Sequence, residues 1–141
     1  MFKESDLLIL NHIRKNSRQS LADISRKTRM PISTIFDKLK KLESTVIKRH
    51  VSLLNFSELS HNIMVNFSIK TKDNEKAKVF LLNDKNVNSL YKVSPNFDFY
   101  AECIFRNMGE LELFKDELAR LNICFEDNFI VNEVKREIFQ L

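Results

Sequence analysis

Ser33, Thr34, Asp37, Lys38 and Lys41 recur at intervals of three and four residues, so a helix would carry them along one side. Two hydroxyls, a carboxylate and two ammonium groups in that arrangement suit the edge of a base pair and its neighbouring phosphates. Hydroxyls donate or accept at a base edge, a carboxylate accepts from the cytosine amino group, and lysines neutralise phosphates or reach base acceptors. Small residues near a helix start also let it approach a major groove closely. Ser33, Thr34 and Asp37 are therefore candidates for base contact, and Lys38 and Lys41 candidates for phosphate or base contact. Arg18, Ser20, Arg29, Arg49 and His50 flank this stretch and are candidate phosphate contacts.

Other chemistries lack their residues. One glycine in 141 residues argues against phosphate loops and dinucleotide fingerprints, which need several. His12, His50 and His61 are far apart, and no Cys/His spacing suggests zinc. Cys103 and Cys124 form no Cys-x-x-Cys pair and are expected to be two buried thiols. A ferredoxin-like phosphatase would want a glycine-rich anion loop or clustered active-site residues, and neither is present. No enzyme activity, metal or cofactor is expected.

Charge separates the chain into two parts. Residues 1–50 carry twelve Lys/Arg and five Asp/Glu, a net +7, whereas residues 51–141 carry a net −3. A basic segment is the electrostatic footprint of a nucleic-acid binder. Apolar residues make up 43% of the chain, enough for a core, and no apolar run is long enough to span a bilayer. The opening Met1-Phe2-Lys3-Glu4-Ser5-Asp6 has no apolar signal segment, so the expected location is the cytoplasm, with no membrane partner.

The elements that must position these residues follow from periodicity. Leu7, Leu10 and Ile13 predict a helix over 4–16. Ser20 can cap a second helix from Leu21 to about Thr28, with Asp23 answering it three residues on. Pro31 suits the start of a third helix, in which Ile32, Ile35, Leu39 and Leu42 make the buried stripe. Three short helices with a tight turn between the last two describe a helix-turn-helix. Residues 46–54 read as a β-rich wing or linker with a basic tip.

Beyond residue 61 the pattern changes. Ile63, Val65, Phe67 and Ile69 alternate, as in a strand. Residues 74–83 read as a helix, 86–93 and 97–105 as a hairpin turning at Ser94-Pro95-Asn96, and 108–121 as an amphipathic helix. Strand follows at 123–126 and 129–136. The order is βαββαβ, a ferredoxin-like arrangement. The expectation is an α+β chain: a winged helix-turn-helix domain over 1–50, a linker over 51–61 and a ferredoxin-like ligand-sensing and oligomerisation domain over 62–141. Met64, Tyr100, Ile104, Ile130 and Val134 would make the outer sheet face apolar, a reason to pair with a second subunit on a two-fold axis.

The stretch from Ser20 to Glu43 resembles the helix-turn-helix of the Lrp/AsnC (feast/famine) family of transcription regulators, archaeal versions especially. Asp6 with Ile9-Leu10, the Asn16 to Arg18 step and the ending Val134-Lys135 also match, so the resemblance covers nearly the whole chain. It implies a regulator that binds double-stranded operator DNA as a homodimer, or as a tetramer or octamer, and a small effector, commonly an amino acid. Two departures stand out. Arg29-Met30 replaces the usual glycine after the second helix, and Pro95-Asn96-Phe97-Asp98 stands where the family has Gly-x-Tyr-Asp. Asp98 is kept as a candidate effector contact, but proline lacks glycine's backbone freedom, so no tight response to common amino acids is expected. A winged-helix module that docks protein, or an architectural DNA-binding protein without effector sensing, are the alternatives.

Overall fold

Capping and apolar spacing account for the helices of a computed structural model that describes residues 1–139 and 141. The elements are α1 Glu4–Lys15, α2 Leu21–Thr28, α3 Ile32–Thr45, a single 3₁₀ turn Phe56–Leu59, β1 Ile63–Lys70, α4 Asn74–Asn83, β2 Val87–Lys92, β3 Phe99–Phe105, α5 Met108–Arg120 and β4 Cys124–Phe129. Contacts divide the chain into two units. One is Met1–Leu53 with Val134–Leu141, and the other is Leu54–Glu133.

In the first unit, the Ser20 hydroxyl oxygen accepts the Asp23 N–H at 3.1 Å and its proton goes to Asp23 Oδ2 at 2.8 Å. This satisfies one of the free donors at the start of α2. Arg29 ends that helix in the left-handed region, with φ 58°. A residue with a Cβ pays about 1 kcal/mol for that conformation, which is why glycine is usual there. Pro31 precedes α3 as its cap rather than as its first residue. The core is Ile9, Leu10 and Ile13 of α1, Ile24 of α2, and Ile35 and Leu42 of α3. Ile32 does not belong to it and is 50% exposed. Residues 46–54, read as a wing or linker, form no strand in the structure and run as a connecting segment.

The tail lies along α1. Asn11 makes a reciprocal pair with Leu141, its Nδ2 donating to the carbonyl and its Oδ1 accepting the N–H, both at 3.2 Å. Arg14 Nε donates to the Phe139 carbonyl at 3.2 Å and its guanidinium lies 3.7 Å from Glu137.

The second unit is an antiparallel sheet ordered β2-β3-β1-β4, with α4 and α5 on one face. With the βαββαβ chain order this is the ferredoxin-like arrangement. Asp73 and Asn107 cap the helices, accepting the N–H of Lys76 and Glu110 at 3.0 Å each. Val65, Phe67 and Ile69 of β1 and Phe99, Ala101, Cys103 and Phe105 of β3 alternate into the core, where they meet Ala77, Leu81, Leu111, Phe114 and Leu118. Cys103 is buried, which pushes its thiol up to about 12. Cys124 is exposed, so the pair of buried thiols is not formed.

Strand beyond Phe129 is also not formed. Val65 pairs with Phe129, and the Ile130 N–H reaches the Met64 carbonyl at 2.8 Å, so the ladder runs out where β1 begins. Val134 consequently sits on no sheet face. The outer face is more polar than alternation alone suggested. Asn66, Ser68, Glu102 and Tyr100 share it with Met64, while Ile104 is only 8% exposed within the single chain. Among the described residues no helix is long and apolar enough to cross a membrane.

Candidate nucleic-acid interface

The interface is built on α3, and its orientation follows from what α3 buries. Ile35, Leu39 and Leu42 turn inward, so the outward side carries Ser33, Phe36, Asp37, Lys40, Lys41 and Ser44, all exposed. Thr34 lies half-buried at the margin. Ser33, Asp37 and Lys41 therefore share an exposed side, as their spacing requires.

Lys38 does not join them. Its ammonium lies 2.5 Å from Asp6 Oδ1 of α1, and both side chains are mostly buried. One hundred degrees per residue carries position 38 round toward the core side, so its charge ties α3 to α1 instead of facing outward. The Lys38 ammonium, followed by the Lys3 N–H, holds the Asp6 carboxyl below its ordinary 3.8. A lowered folded-state pKa supplies stability that is complete above the ordinary value and is lost as pH falls through the lowered one. Asp6→Asn is expected to lower the melting temperature at neutral pH and to flatten its decline in acid. Melts of both proteins from neutral pH to about pH 3 read this difference. Parallel curves would mean that Asp6 carries no linked proton.

Two apolar side chains on α3 lie outside the core: Ile32, which was expected in the buried stripe, and Phe36. Ile32 and Phe36 are 50% and 54% exposed and sit four residues apart, on one side beside Ser33. Apolar contact with the thymine methyl is one of the few direct signals in the major groove, and this pair offers it. The clue was present: Phe36 lies one residue off the Ile35–Leu39–Leu42 stripe. Lys40 is also exposed and uncommitted to an ion pair among the described residues.

The flanking candidates divide. Arg18, Arg29 and Arg49 are exposed. Ser20 is occupied as the α2 cap, and His50 Nε2 lies 3.3 Å from Glu43 Oε1. Asp98 has a local task in the second unit. Its Oδ2 accepts the Thr71 N–H at 2.9 Å, and its own N–H reaches the Ile69 carbonyl at 2.8 Å. Among the described residues, no group of three or more His, Cys, Asp or Glu is gathered as a metal would need.

Residues 2–45 match a family model described as winged helix-turn-helix DNA-binding. An HTH-type transcriptional regulator of Pyrococcus abyssi is 27% identical over 145 residues, spanning 100% of this chain and 99% of its own. Among solved structures, an AsnC family transcriptional regulator from Agrobacterium tumefaciens superposes with a TM-score of 0.87 at 19% identity, covering 99% of this chain and 97% of that one. A transcriptional regulator of Neisseria meningitidis, described as a complex with L-Met, superposes with a TM-score of 0.87 at 18% identity, covering 96% and 94%.

Proposed function

We infer that this chain, which belongs to the Lrp/AsnC family of transcription regulators in its archaeal form, reads operator DNA through α3 as a cytoplasmic homodimer. It is a DNA-binding regulator, and the reading assigns it no catalysis. The carrying observation is the exposed side of α3. Ser33, Asp37 and the apolar pair Ile32 and Phe36 present base-reading groups, while Lys40 and Lys41 follow one to two turns later with charge for phosphate. Thr34 reads from the margin. Arg18, Arg29 and Arg49 extend the phosphate contacts, with His50 and the capped Ser20 contributing less because each already has a partner.

Salt dependence tests the reading. Each phosphate neutralised steepens the dependence of log affinity on log salt by about 0.9. Changing Lys40 and Lys41 together to Ala should weaken binding to every duplex and flatten that slope by about two units. Lys38→Ala should instead lower thermal stability and leave the slope nearly unchanged. If the double change leaves the slope intact, α3 does not lie along a phosphate backbone.

The amino acid named with the Neisseria meningitidis relative is not carried over. Pro95 occupies the hairpin where the family pattern has glycine, and Asp98 is already bonded to the Thr71 and Ile69 backbone. We propose that common amino acids bind this chain weakly or not at all.

A further inference from the structure

At the opposite end of the sheet from the Ser94–Phe97 hairpin, a cavity of about 330 Å³ opens among Phe56, Leu59, Val87 and Ile104 on its apolar side and His61, Arg106, Lys85 and Glu110 on its polar side. All of these lie in the Leu54–Glu133 unit. The hydrogen bonds fix the polar side. His61 Nδ1 lies 2.7 Å from the Leu59 carbonyl, which can only accept, so Nδ1 carries the proton. In neutral His61 the Nε2 lone pair is then free to accept, and Arg106 Nε donates to it at 3.4 Å. That contact uses one edge of the guanidinium. Its two terminal nitrogens, four N–H donors, meet no acceptor among the described residues.

Among the described residues Glu110 is the one acid in the cavity wall, and it is engaged. Oε2 accepts the Arg106 N–H at 3.0 Å and Oε1 lies 3.9 Å from the Lys85 ammonium. The Arg106 N–H, ahead of the nearby Lys85 charge, holds its carboxyl below the ordinary carboxylate range, so it is ionised at neutral pH. Arg106 and Lys85 against Glu110 leave the cavity with one net positive charge. A free guanidinium fork matches a carboxylate in a bidentate pair, and four apolar side chains suit a compact hydrocarbon body.

We propose that this cavity binds a small organic monocarboxylate with a branched aliphatic or single-ring body and no ammonium group. The carboxylate pairs with the terminal nitrogens of Arg106, and the apolar body rests on Phe56, Leu59, Val87 and Ile104. An α-ammonium would enter the field of Arg106 and Lys85, and would find Glu110 already bonded, so amino acids are the poorer ligands. Occupancy fastens the Phe56–His61 segment to the ends of β2 and β3.

Calorimetry on the full chain without DNA tests this, using 4-methylpentanoate and 3-phenylpropanoate against leucine and phenylalanine, which carry similar apolar bodies. The carboxylates are expected to bind in the micromolar range, about 10-fold or more tighter than the amino acids. Arg106→Gln is expected to weaken them about 10- to 100-fold. Because Arg106 is exposed, its replacement keeps the fold, which an unchanged circular dichroism spectrum and melt will verify. Val87→Phe, which fills the cavity from its apolar side, should abolish binding in a protein that keeps Arg106. The proposal is overturned if neither carboxylate binds at about 10 mM, if the amino acids bind as tightly, or if both variants leave affinity unchanged. None of these outcomes bears on DNA binding, which the salt titration tests separately.

Discussion

Phe114→Ala should destabilise the Leu54–Glu133 unit by about 3–5 kcal/mol. The ring belongs to α5 and is the meeting point of the unit's core. Its centroid lies 5.1 Å from that of Phe67 on β1, 5.5 Å from Phe105 on β3 and 5.8 Å from Phe80 on α4. The contacts to Phe67 and Phe105 bind helix to sheet, and the one to Phe80 binds helix to helix. Removing the ring leaves a cavity walled by three other aromatics, which cannot close it without leaving their own rotamers. Since a domain is stable by only about 5–15 kcal/mol, this one change takes a large share of the total. Leu113, its neighbour in sequence, is 64% exposed, and Leu113→Ala should stay within about 0.5 kcal/mol. Urea unfolding followed by circular dichroism compares the two. Equal midpoints would mean that the aromatic cluster does not hold this unit together.

The same cluster shows why so much of the fold was legible. Phe67 and Phe114 stand in patterns with a clear period, two along β1 and three to four along α5, and a period states which side is buried. Ser20 and Asp23 announced the start of α2 in the same local way. What the pattern reading missed depends on residues distant in sequence. Val46–Leu54, read as a wing or linker, has the composition of a strand but no pairing segment among the described residues. Residues beyond Ile130 alternate as a strand does, but β1 starts at Ile63 and offers no further partner. A strand is a property of two segments, and one segment's alternation cannot supply the second.

The candidate interface follows the same rule. Spacing alone places Ser33, Asp37 and Lys41 outward, and they are exposed. Lys38 was expected on the same side but turns toward Asp6, thirty-two residues earlier on another helix, which spacing alone does not show. Ile32 was counted in the buried stripe because apolar side chains are expected inside, and only the packed structure shows it exposed beside Phe36. Composition also hid the cavity at Arg106. His61, Lys85 and the Arg106–Glu110 pair come from three separate places in the chain and have no common motif.

Assembly is where the largest effect on DNA binding is expected, and Tyr91→Glu is the change that should reveal it. A single helix-turn-helix reads few base pairs, whereas two on a two-fold axis reach half-sites about 34 Å apart, so that capture of the first raises the effective concentration for the second. The proposed pairing surface is the outer sheet face. Tyr91 and Tyr100 lie directly opposite one another there, with ring centroids 6.3 Å apart. Beside them lies the Asn66 amide, which hydrogen-bonds the Tyr100 hydroxyl and whose buried Oδ1 has no further partner among the described residues. Burial, reinforced by Glu102, pushes the Tyr100 hydroxyl up, so it stays protonated and able to donate. Ile104 is a poor place to put a charge, since at 8% exposure the fold itself would suffer. Tyr91 is 50% exposed, so a glutamate is tolerated in the single chain, and on a face that meets its own copy it approaches Glu102 and a second introduced carboxylate. Sedimentation should then shift from dimer to monomer, with operator affinity falling about 10²- to 10⁴-fold while binding to an isolated half-site persists. If the unaltered chain sediments as a monomer at micromolar concentration, or Tyr91→Glu remains a dimer with full operator affinity, the sheet face is not where two copies meet.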